Sequence, residues 1–94
     1  MKRDLMALLP SETVAPLAAS HLSGQHIGEI VSFHWTMPGG GRTQAVVTGE
    51  LRQVYHTSAQ TVLNLCSHLE DSMGELDEFV LEPEIAIDFW RAAK

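Results

Sequence analysis

The sequence predicts a mainly β domain with an N-terminal helix, an α+β fold whose strands close into a small, strongly bent, five-stranded antiparallel barrel or half-barrel. Three observations carry that expectation. From Ile27 onward apolar residues alternate with polar ones, the period of strands that bury one face. The alternating runs are short and are broken by Gly, Pro and Ser/Thr clusters, which punctuate chains at turns. The first 24 residues carry a different, helical spacing.

In chain order, Leu5, Leu8 and Leu9 suggest a short helical turn stopped by Pro10. Ser11 is a suitable N-cap, and Pro16 is tolerable in a first turn. Val14, Leu17, Ala18, His21 and Leu22 then follow the stripe of an amphipathic helix over about 13–22, ended by Gly24. Residues 1–24 are thus read as a helical segment and residues 27–90 as strands of one domain spanning 1–94.

Val31, Phe33, Trp35 and Met37 form the inner face of a first strand, ended by the glycine-rich loop Pro38-Gly39-Gly40-Gly41. Ala45, Val47, Gly49 and Leu51 form the inner face of a long second strand, and Val54 falls one residue out of phase. A bulge between Gly49 and Val54 restores the alternation. A turn at Thr57-Ser58-Ala59 leads to a third strand, Thr61 to Cys66. The polar, acidic stretch 67–77, which contains Gly74, is a loop or one helical turn. Phe79 and Leu81 mark a fourth strand, which Pro83 separates from a fifth carrying Ile85, Ile87 and Phe89. Five short strands with one bent member suit a closed or half-closed barrel, because closure removes bare edges.

The size allows one modest core: 94 residues bury about 60–65% of the surface the unfolded chain exposes. No apolar run approaches the length of a membrane span. Met1-Lys2-Arg3 is followed by Asp4 rather than by an apolar stretch, unlike a secretory signal. The single cysteine, Cys66, makes no internal disulfide, so a reducing cytoplasm is the expected location.

The pattern resembles Sm-like and Src-homology-type small barrels over roughly residues 12–90. The likeness lies in a leading helix, then Ile27-Gly28-Glu29-Ile30-Val31-Ser32-Phe33, the bent Gly49-Glu50-Leu51-Arg52-Gln53-Val54, Val62-Leu63-Asn64-Leu65 and a Pro-interrupted last pair. The Sm-like resemblance implies ring oligomers that bind RNA through loop Asp and Asn residues. This sequence has Tyr55-His56-Thr57-Ser58 where that pattern has its Asp and Asn, and it lacks the family's second, Gly-containing motif. The resemblance therefore extends to architecture and not to RNA binding.

Charge points the same way. The net charge is −6, and the basic residues Lys2, Arg3, Arg42, Arg52, Arg91 and Lys94 are scattered, unlike the clustered cations of phosphate-backbone binders. The acids are concentrated: Glu70, Asp71, Glu75, Asp77, Glu78, Glu82, Glu84 and Asp88 occupy one stretch free of basic residues. Such a stretch is either a solvated face or a patch for a basic partner.

No catalytic set stands out. There is no Gly-x-Ser-x-Gly elbow and no phosphate loop with Lys, and Cys66 falls inside a strand, where cysteine behaves as a small hydrophobe. His21, His26, His34, His56 and His68 lack the paired spacing of a zinc site, so neither metal nor cofactor is expected. The sequence therefore reads as a non-catalytic interaction module that binds another protein or itself through strand edges and the acidic patch. Candidate contact residues are Arg42 in the glycine-rich loop, the aromatics Tyr55 and Trp90, and the acids Glu75, Asp77 and Glu78. Two alternatives are a nucleic-acid-binding barrel using Arg42, Arg52, Tyr55 and His56, and an acidic, phage-encoded type of inhibitor of a basic protein.

Overall fold

The computed structural model describes residues 8–36, 44–67 and 75–92. Arg42 and His68, singled out in the sequence, lie outside these residues. Seven strands form one antiparallel sheet: β1 (Leu8–Pro10), β2 (Leu17–Ala18), β3 (Ile30–Thr36), β4 (Gln44–His56), β5 (Thr61–Cys66), β6 (Asp77–Leu81) and β7 (Ala86–Ala92). Their order is β1-β7-β3-β4-β5-β6, with β2 also pairing β7. Among the described residues no helix is long and apolar enough to cross a membrane.

The long strands lie where the alternation put them, and the bend in β4 is real. The β4–β5 register slips between Leu51 and Gln53, leaving Arg52 as the extra residue of a bulge. Before it, β4 pairs with β3, and Val31, Phe33 and Trp35 lie opposite Gly49, Val47 and Ala45. After it, Val54 faces inward opposite Leu63. Gly49 is required where the two halves cross. A β-carbon there would sit 2.9 Å from the Cys66 carbonyl oxygen and 3.2 Å from the Leu65 β-carbon.

The rest of the expected fold class is overturned. Among the described residues there is no N-terminal helix, the strands number seven rather than five, and the sheet is not closed. Residues 8–20 instead run along the outer side of β7. Leu8, Leu9 and Pro10 pair with Ala92, Arg91 and Trp90, and Leu17 and Ala18 pair with Ile87 and Ala86. The Ser11 N–H donates to the Phe89 carbonyl and the Ala19 N–H to the Ile85 carbonyl. The physical reason is a competition. A helix of about ten residues is marginal on its own, and Pro16 biases Ala15 away from the helical region. Strand β7 offers a row of unpaired backbone groups that an extended segment satisfies at once.

The predicted cap forms without its helix. The Ser11 hydroxyl accepts from the Thr13 and Val14 N–H groups at 3.2 and 3.0 Å, closing a local turn. Two short 3-10 turns, Ala19–His21 and Gly24–His26, then bury Ala19, Leu22 and His26 against the sheet. Gly28, at φ 98°, makes the reversal into β3 in a region that other residues rarely adopt.

Closure fails for a related reason. The outer side of β7 is occupied by β1 and β2, so β6 cannot close onto β7, and among the described residues β6 and the short β1 remain the two unjoined ends of the order. The core is filled from one face of the bent sheet by Val31, Phe33, Leu51, Leu63, Ile87 and Phe89. Phe79 stands edge-on to Phe33 and to Trp35, with ring centroids 5.5 and 5.3 Å apart.

Candidate partner-binding edge

Register decides which of the predicted contact residues meet. Tyr55 lies opposite Val62, and Val62 lies opposite Val80. The three make one row across β4, β5 and β6 on the face away from the core. Val62 is buried between its neighbours, while Tyr55 and Val80 are 51% and 46% exposed. The next row holds Gln53, Asn64 and Glu78. Tyr55 and Glu78 therefore share one surface, beside an exposed apolar stripe.

Glu75 and Asp77 are exposed at the start of β6. Asp77 also borders an open cleft of about 220 Å³ with Val47, Cys66 and Phe79. A second open cleft, of about 290 Å³, lies at the far end of β6 where the sheet fails to close. Its walls are His34, Trp35, Val80, Leu81, Glu82 and Ile85. The outer side of β6 carries no strand among the described residues.

Trp90 sits apart from this surface. As the alternation predicts, it points away from the core, but it is half-buried beside Pro10 of β1. Its indole N–H donates to the Ser32 hydroxyl at 2.7 Å, and Ser32 is only 4% exposed. The side chain is tied to β3, on the other side of β7 from β1, instead of standing free as an anchor.

The residues proposed for nucleic acid do not converge. Tyr55 and His56 are neighbours on a strand and so face opposite sides. Both His56 ring nitrogens are engaged: Nδ1 with the Thr61 hydroxyl at 2.8 Å and Nε2 with the Leu22 carbonyl at 2.9 Å. One neutral tautomer satisfies both, with Nε2–H donating to the carbonyl and the Thr61 O–H donating to Nδ1. Arg52, turned by the bulge, donates from Nη1 to Cys66 Sγ at 3.3 Å. That contact, and the Glu50 carboxylate after it, holds the guanidinium more firmly protonated than usual.

The other histidines are accounted for locally. Nδ1 of His26 accepts the Ser23 N–H at 3.0 Å, and its ring packs on Phe89 with centroids 5.3 Å apart. Among the described residues no three His, Cys, Asp or Glu side chains gather closely enough to hold a metal ion. The polar group against the buried Cys66 sulfur is a guanidinium rather than an imidazole.

Sequence reasoning missed Val80 and the seam cleft. The phase of Phe79 and Leu81 already turns Val80 outward. Its place beside Tyr55 needs the β4–β5–β6 register, which is set by the bulge at Arg52 and by the hairpin at 57–60. In that hairpin the Thr57 hydroxyl accepts from the Gln60 N–H at 2.9 Å. Compared with known proteins, the chain matches no family model, and no curated protein or solved structure shows significant similarity to it.

Proposed function

We propose that the chain is a non-catalytic interaction module that engages another protein along the outer edge of β6. The observation that supports this reading is that, among the described residues, no strand pairs with the outer side of β6, next to a row in which Tyr55 and Val80 are exposed and flank the buried Val62. A strand edge offers hydrogen bonds to a partner backbone, and the flanking apolar side chains add specificity. Arg52, Tyr55 and His56 support a nucleic-acid reading less well, because they face different surfaces and two of them are already engaged.

The test compares proteins retained from a cell extract by the wild type and by Val80→Lys, which places a charge on the exposed edge. A partner held by the wild type and lost by the variant, at equal thermal stability, supports the reading. The same proteins held by both, or a strict monomer that holds none, overturns it.

A further inference from the structure

Resting on that reading, we propose that the partner of the β6 edge is an extended, basic protein segment that adds as a further strand, with an apolar side chain anchored in the seam cleft. The edge supplies the first part of the argument. β6 ends the strand order, so one side of its backbone is unpaired among the described residues.

Charge selects the occupant. Glu75, Asp77, Glu78, Glu82 and Glu84 line β6 and its two ends, all exposed. Among the described residues none of them has a salt-bridge partner, the ion pair found being Arg91 with Glu12 at the far side of the sheet. No Lys or Arg occurs between Arg52 and Arg91. A second copy of this chain is the poorer occupant. Two β6 edges brought together would juxtapose two sets of these carboxylates, and like charges across a strand pair are unfavourable. Head-to-tail pairing of β6 onto β7 of another copy is blocked, because β1 and β2 already cover that side of β7. A cationic segment gains where a second copy loses.

The clefts and the apolar row define the rest of the pattern. An added strand points alternate side chains to opposite faces. On the outer face they meet Val80, flanked by Tyr55 through Val62. At the C-terminal end of β6 they meet the open cleft of about 290 Å³, which Val80 itself borders together with His34, Trp35, Leu81, Glu82 and Ile85. That volume falls just short of drug-sized pockets and suits one apolar side chain. The expected ligand therefore alternates cationic and apolar residues.

The experiment is an amide NMR titration of the full chain with a peptide of alternating lysine and valine and with its glutamate–valine counterpart, at low and high salt. The lysine peptide is expected to shift the amides of residues 77–81, slow their hydrogen exchange and bind more weakly at high salt. Glu78→Lys should weaken it about fivefold, the scale of one exposed ion pair. If the glutamate peptide binds at 77–81 as tightly as the lysine peptide, the basic partner is overturned and the edge reading survives. Concentration-dependent shifts at 77–81 without peptide, unaffected by excess peptide, would assign the edge to a second copy and also overturn the proposal. Shifts confined to other strands, or no shifts with either peptide, overturn the proposal together with the edge reading.

Discussion

The two sides of this sheet solve the same problem differently. At one end, the outer edge of β7 is covered by the chain's own residues 8–20, which run along it, and the same N-terminal stretch buries Ala19 and Leu22. At the other end, the outer side of β6 carries no strand among the described residues and is surrounded by carboxylates. Covering an edge hides it from every partner. Charging an edge hides it from like-charged copies and leaves it open to an opposite charge. The covered side is therefore read as structure and the charged side as surface for binding, and substitutions on the two sides should behave accordingly.

The largest effect should come from loosening the cover. Leu22→Ala removes a side chain that is 2% exposed and should cost about 3 kcal/mol in chemical denaturation. Hydrogen exchange should quicken first in residues 8–20 and 86–92, with 61–66 little changed. Gly49→Ala tests the crossing shared by both sides. Its new methyl group meets the Cys66 carbonyl at 2.9 Å, and backbone cannot rotate aside, so about 2 kcal/mol should be lost without regional bias in exchange. Trp90→Phe keeps an aromatic ring and deletes the N–H that Ser32 accepts; about 1 kcal/mol is expected from thermal unfolding. The smallest stability effect belongs to Val80→Lys on the β6 edge, at most about 0.5 kcal/mol, combined with loss of the retained partner. If Val80→Lys destabilised the chain as much as Leu22→Ala, the contrast between the edges would be wrong.

The same contrast marks what was legible in the amino-acid sequence. On the β3–β7 side of the chain, period-2 alternation is a local signal, and it located the strands and the β4 bulge through the single misplaced residue Val54. In residues 8–22 the local signal misled. Val14, Leu17 and Leu22 sit at helical spacing, yet two 3-10 turns and an extended path bring Val14, Leu17, Ala19 and Leu22 to the core equally well. The deciding term, the unsatisfied edge of β7, lies some seventy residues further on, where no local pattern reports it. Asp77 is in phase with Phe79 and Leu81 and is exposed because it lies at the strand's start, whereas exposure of Glu78 could be read from phase alone. The meeting of Tyr55 with Val80 could not, since it depends on register across three strands. Closure of the barrel was misjudged for the same reason: it turns on which edge the N-terminal segment occupies.

The pairing of Leu8 with Ala92 also has a consequence for how the chain comes off the ribosome. The cover is made first, but its template is made after every other strand of the sheet. Until β7 emerges, residues 8–20 have nothing to zip onto, and the β3–β6 meander must assemble without them. Pairings so distant in sequence close slowly. The N-terminal segment is thus the earliest part of the domain to be synthesised and the last to find its place, so a nascent chain halted before residue 86 should present Ala19 and Leu22 to solvent, or to whatever chaperone meets them there.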